Sequence, residues 1–104
     1  MTYTNEDLST RVIEKPTPKL KKPAMYRVIL HNDDFTPRAF VVHVLQKFFS
    51  KVDPMATTIM MTAHKIGHAS VAVYSYEIAE TKTHKANKYG VVHSYPVKFT
   101  FEVD

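Results

Sequence analysis

Cysteine and tryptophan are absent from the 104-residue sequence, and glycine occurs only at Gly67 and Gly90. Without cysteine there is no disulfide, no thiolate metal site and no thiol nucleophile, and nothing argues for a small secreted scaffold. Two glycines are too few to build a phosphate-cradling loop, and the Gly-x-Ser-x-Gly arrangement around a serine nucleophile does not occur. No apolar run approaches the roughly 20 residues of a membrane-spanning helix. The N-terminus, Met1 to Asp7, has neither a basic nor an apolar targeting region, and it carries Glu6 and Asp7, which a transit peptide avoids. These absences lead to the expectation of a cytoplasmic protein with no membrane partner.

What is present fits one small domain. Hydrophobic residues make up 44% and charged residues 23%, and six Phe and six Tyr supply bulky core material. A unit this small has a thin stability margin and few buried positions to give to chemistry. The net charge is +4 and the isoelectric point about 9.3. Part of that charge is the run Lys15, Lys19, Lys21 and Lys22. Such a balance permits binding to nucleic acid or to an acidic partner, and a solvated lysine-rich tail accounts for it as well.

Residues 1–24 are polar, contain Pro16, Pro18 and Pro23, and show no periodicity, so the expectation is a disordered tail followed by a domain over 25–104. Met25 to Leu30 is rich in β-formers and runs into the polar cluster His31-Asn32-Asp33-Asp34, which predicts a strand and a loop. Thr36-Pro37 reads as a helix cap and first helical residue. Phe40, Val41, Val44, Leu45 and Phe48 then follow at helical spacing to an end near Ser50 or Lys51. Asp53-Pro54 repeats the start signal, Ala56, Ile59, Met60, Ala63 and Ile66 form the next stripe, and Gly67 suits the helix end. Ala69 to Tyr74 predicts a second strand with Val71 and Val73 on one face. Glu77 to Tyr89 predicts a third helix ended by Gly90, and the alternation of Val97, Phe99, Phe101 and Val103 predicts a third strand. The order β-α-α-β-α-β implies a small two-layer α+β sandwich: a three-stranded antiparallel sheet with helices packed on it.

The loop His31 to Pro37 is the densest polar cluster. Its two carboxylates and Asn can bind a cation or a protonated amine, yet Asn and Asp also favour such loops because their side chains bond nearby backbone N–H groups. His64 and His68 are four apart, but Gly67 falls between them and no third ligand is evident, so no metal and no cofactor are expected. His64 lies beside Met60 and Ala63 at the edge of the apolar stripe, where it is either a histidine at the core rim or a polar group at the mouth of an apolar pocket. The aromatics fall mostly at inward positions, which suits a core better than a base-stacking platform.

Taken together, three segments resemble one family. Tyr26-Arg27-Val28-Ile29-Leu30-His31-Asn32-Asp33-Asp34-Phe35-Thr36-Pro37 resembles the signature of the ClpS adaptors of bacteria, Met60-Met61-Thr62-Ala63-His64 matches the family's second motif, and Glu77-Ile78-Ala79-Glu80-Thr81-Lys82 its third. The resemblance covers residue 25 to about 104, with the motifs in the family's order. It implies an adaptor, not an enzyme, that binds N-degrons, proteins beginning with a free Leu, Phe, Tyr or Trp, and delivers them to the Clp AAA+ unfoldase and its peptidase. By motif match, Asn32, Asp33 and His64 surround the substrate's α-amine. Asp34, Thr36, Arg38, Val41, Met60, Ala63 and Val97 fall at or near the wall of the hydrophobic pocket, and Glu77 and Lys82 dock on the unfoldase N-domain. The physics is compatible: a protonated terminal amine needs acceptors at fixed geometry, and an ionised acceptor strengthens the bond. Arg38 stands where many relatives have Met, Ala63 where many have Val, and the stretch Tyr89 to Tyr95 also differs. A monomer is expected, with no nucleic-acid partner. The alternative is a small basic nucleic-acid or ribosome-associated binding protein, whose affinity would fall steeply with salt. A hydrolase or metal enzyme using His64 with Asp33 and Asp34 is a third reading.

Overall fold

The structure is a computed structural model and describes residues 23–104. The expected tail therefore lies, but for its last two residues, outside the described residues. The elements are β1 (Met25–His31), α1 (Arg38–Phe49), α2 (Asp53–Ile66), β2 (His68–Ser75), α3 (Tyr76–Val92) and β3 (Lys98–Val103), in the expected β-α-α-β-α-β order. They build one three-stranded sheet in the order β2-β1-β3, with both pairings antiparallel.

Alternation along β1 turns Val28 and Leu30 to the helical layer, where both are buried, and leaves Arg27 and Ile29 on the other face. Opposite them, Leu30 pairs with Ala69 on one side and Phe99 on the other. The helices close this face with Val41, Val44, Leu45 and Phe49 from α1, Ala56, Ile59, Met60 and Ala63 from α2, and Ala79 and Ala86 from α3. The outer face is tied by side chains: Arg27 donates to Ser70 Oγ at 2.5 Å and forms an ion pair with Asp104.

Four local readings are corrected. Val28 pairs with Ala72 while Ile29 pairs with Ser70, so Val71 is an extra, unpaired residue in β2. This bulge flips the alternation: Ala69 and Val71 point to the core, then Ala72 and Tyr74 do, and Val73, expected beside Val71, faces out opposite Arg27. Gly90 does not end α3, which continues to Val92. A Cβ there would lie 2.5 Å from Val97 Cγ1 and 3.2 Å from the Tyr95 carbonyl oxygen, so this glycine serves the close approach of the returning chain. Pro37, not Thr36, flanks α1, its carbonyl accepting from the N–H groups of Phe40 and Val41 at 3.0 and 3.2 Å. Val52, not Asp53, flanks α2, accepting from the Ala56 N–H at 2.8 Å, and Pro54 sits within the first turn, where its missing N–H costs nothing.

Two ties fix the parts that carry the site. Gly67 ends α2 at φ 97°, and its carbonyl accepts the Asn32 N–H at 3.0 Å, which pins the loop after β1 to the end of α2. Asn87 of α3 donates from Nδ2 to the Phe99 carbonyl at 2.9 Å and accepts the Phe99 N–H at 2.8 Å. That amide satisfies backbone groups on the edge of β3 that is unpaired among the described residues and so blocks pairing with another strand at Phe99.

Candidate functional site

Where β1 ends, the chain crosses between the start of α1 and the last turn of α2. A cavity of about 30 Å³ lies there, lined by Leu30, His31, Asn32, Asp33, Arg38, Val41, Met60, Ala63 and His64. Apolar walls come from helical spacing: Val41 one turn into α1, Met60 and Ala63 on one face of α2, and Leu30 from the inward side of β1. The polar rim comes from the loop and from His64 at the exposed side of the last α2 turn.

Asp33 organises the loop. Its Oδ1 accepts the N–H of Phe35 and of Thr36, both at 2.8 Å, and the Thr36 hydroxyl lies 3.0 Å from Oδ1 and 2.8 Å from Oδ2. The turn-forming reading of this carboxylate is thus correct. Oδ1 is saturated, whereas among the described residues Oδ2 has only the Thr36 hydroxyl within reach and keeps acceptor capacity. The arrangement also orients Phe35, which stays 80% exposed at the rim.

At the mouth, Arg38 Nη2 lies 3.0 Å from His64 Nε2. A guanidinium can only donate, so Nε2 accepts and the ring in this arrangement is neutral with its proton on Nδ1. Arg38 and His64 are both exposed, so the contact bridges the opening from outside and belongs to no buried network.

Seven of the residues singled out in the sequence meet here: Asn32, Asp33, Arg38, Val41, Met60, Ala63 and His64. Three do not line the cavity. Asp34 is exposed on the solvent side of the loop, Thr36 is turned to Asp33, and Val97 is buried against Gly90. Leu30 and His31 line it without having been anticipated. The strand alternation that made Leu30 a core residue also places it next to the loop, and that was the available signal. Glu77 and Lys82 share a separate groove of about 480 Å³ with Lys47, Phe48, Ile78, Thr81 and Lys85. Glu77 and Lys82 are not paired with each other: Lys82 Nζ donates to the Phe48 carbonyl at 3.0 Å and sits 5.4 Å from the Tyr74 ring centre. Among the described residues no three His, Cys, Asp or Glu side chains cluster as a metal would require, and no helix is long and apolar enough to cross a membrane.

Three comparisons bear on this arrangement. A family model described as "ATP-dependent Clp protease adaptor protein ClpS" matches residues 21–100. The ClpS adapter of Rhodospirillum centenum is 45% identical over 100 residues, covering 96% of this chain and 93% of the relative. That of Bdellovibrio bacteriovorus is 49% identical over 85 residues, covering 82% and 75%. The solved structure of Agrobacterium tumefaciens ClpS2 bound to L-phenylalaninamide superposes with a TM-score of 0.78 at 42% identity, over 80% of this chain and 100% of that one. With the family's motifs on the loop, on α2 and on α3, and with these matches along nearly its whole length, the chain belongs to the ClpS family of Clp protease adaptors.

Proposed function

We propose that this chain binds proteins through a free N-terminal Leu, Phe, Tyr or Trp and delivers them to a Clp AAA+ unfoldase, itself catalysing nothing. The observation that carries the reading is the joining, in one small cavity, of apolar walls to polar acceptors, of which Asp33 Oδ2 keeps capacity and His64 Nε2 is held only by the exposed Arg38. A substrate's α-ammonium would be met by the Asn32 side-chain carbonyl, Asp33 Oδ2 and His64 Nε2, while its first side chain enters between Val41, Met60, Ala63 and Leu30. The ligand of the Agrobacterium relative has the matching chemistry: phenylalaninamide presents a free α-amine, a benzyl group and an amide where a chain would continue.

Binding requires a change at the mouth. The cavity of about 30 Å³ admits a water or two, since one water needs about 10–15 Å³, but not a benzyl group. Arg38 also holds the nitrogen of His64 that the amine needs. Swinging the exposed guanidinium aside frees that acceptor and widens the opening, and its aliphatic stem then covers the incoming side chain. Burying a Leu or Phe side chain contributes about 1.5–3 kcal/mol. The amine contacts add selectivity, because an acetylated N-terminus leaves the acceptors unmatched. Thr36 acts through Asp33 and not on the substrate. Glu77 and Lys82 dock on the unfoldase, and the segment before residue 23 serves delivery.

Fluorescent peptides differing only at the first residue test this. Binding confined to free Leu, Phe, Tyr or Trp starts is the expected result. Equal binding of Val, Glu or N-acetyl-Leu starts would remove the reading, and binding to oligonucleotide alone would replace it.

A further inference from the structure

The groove holding Glu77 and Lys82 does not stop at those residues. A second depression, about 290 Å³ and lined by Phe48, Lys85, Lys88, Tyr89, Val92 and His93, shares Phe48 and Lys85 with the first. The two form one trough along α3 and the end of α1, about 22 Å from Glu77 to Val92 at helical rise. Its chemistry is lopsided. Lys47, Lys82, Lys85 and Lys88 line it against the single carboxylate of Glu77. Its floor is apolar and open, with Ile78 48% and Val92 68% exposed beside Phe48 and Tyr89. A small domain gains nothing in its own stability from leaving valine and isoleucine in water beside aromatic rings.

Building on the docking reading above, we propose that the unfoldase engages the whole trough, through an acidic segment whose apolar side chains lie on Ile78, Phe48 and Val92 between carboxylates facing the lysines. Charge complementarity selects this occupant. The chain's own residues 1–22 carry five basic residues and three acidic ones, the wrong sign for the trough. Nucleic acid suits the charge but not the rings. Tyr89 is stacked on Phe40 at 5.6 Å and 10°, meets Phe48 edge-on at 5.2 Å, and bonds His43 Nε2 through its hydroxyl at 2.9 Å, so it offers no free platform for a base. The trough shares no lining residue with the cavity at the end of β1, so an adaptor can carry substrate and be docked at once.

The test measures binding of the full-length chain to the intact cognate Clp unfoldase, for wild type, the double variant K85E/K88E, Val92→Asp, and Glu77→Ala with Lys82→Ala. Lys85, Lys88 and Val92 are all exposed, and binding of a Phe-start peptide checks that each variant is folded. The expected result is about tenfold weaker docking for K85E/K88E and for Val92→Asp, with a flatter salt dependence only in the former. Wild-type docking by these variants, while Glu77→Ala with Lys82→Ala weakens it, overturns the extended surface and leaves the docking reading standing. Failure of the wild type to bind the unfoldase removes both. Binding of a labelled 20-nucleotide single strand that K85E/K88E abolishes would assign the lysines to nucleic acid instead.

Discussion

Asp33 is asked to do two things, and substitution separates them. Its carboxylate accepts the N–H groups of Phe35 and Thr36 and the Thr36 hydroxyl, and it is proposed to meet the substrate's ammonium with Oδ2. Asp33→Ala removes the side-chain acceptor altogether. The loop is half-exposed and water replaces part of what is lost, so the cost resembles that of a lost cap, about 1–2 kcal/mol. In a domain of this size that lowers Tm by about 4–8 °C per kcal/mol. Asp33→Asn keeps one oxygen for the two N–H groups, and the Thr36 hydroxyl can turn to suit the amide, so its stability cost is below about 1 kcal/mol. It discards the charge, however, and a charge-assisted bond is roughly twice as strong as a neutral one. Loss of about 1.4 kcal/mol toward an ammonium is tenfold in affinity. The assay pairs thermal melts with anisotropy titrations of a Leu-start peptide and its N-acetylated form. The expected pattern is a near-native Tm with about tenfold weaker binding for Asp33→Asn, and loss of both for Asp33→Ala. Wild-type affinity in Asp33→Asn would refute the reasoning and leave Asp33 a turn residue only.

Other substitutions test other parts of the structure. Gly90→Ala gains about 1 kcal/mol in helix propensity but drives a Cβ to 2.5 Å from Val97 Cγ1, and overpacking costs about 1–3 kcal/mol, so denaturant melts should show net loss, relieved when Val97→Ala is added. Thr83 is buried and its hydroxyl has no hydrogen-bond partner among the described residues, so Thr83→Val should raise stability by about 1 kcal/mol, and a lower Tm would contradict the geometry. Replacing Arg38 by Met and Ala63 by Val frees His64 Nε2 and narrows the cavity, so the ranking of Leu, Phe, Tyr and Trp peptides should change; an unchanged ranking would show that neither residue sets preference. Deleting residues 1–20 should spare peptide binding and abolish degradation of an N-degron substrate by the unfoldase and its peptidase, and loss of peptide binding would count against that division of labour.

Much of the site was legible because it is built from short stretches of sequence. Asn32 and Asp33 sit in one loop, and Met60, Ala63 and His64 lie within two turns of one helix, so a local pattern both names them and puts them on one side. What was not legible depends on the partner of a residue across the fold. Leu30 and His31 line the cavity because the Asn32 N–H is bonded to the Gly67 carbonyl, a contact between segments 35 residues apart. The trough on α3 went unnoticed because lysines at 82, 85 and 88 look like an ordinary solvated helix face until Phe48 of α1 is laid beside them.

Periodicity and punctuation in the chain were enough for six elements, their order and most of the inward faces of α1 and α2, since burial of apolar side chains imposes a period of 3.6 on a helix whatever the neighbours; Ile66, read into the α2 stripe, is 65% exposed at the helix end, and Phe49 is buried where Phe48 was read. Tertiary packing decided the exceptions. The bulge at Val71 reverses the alternation of β2, which no propensity of Val71 or Val73 encodes, and Gly90 continues a helix because Val97 comes back against it. The same holds for Arg38: its charge is written in the sequence, but only the fold sets its guanidinium 3.0 Å from His64, over the opening it would guard.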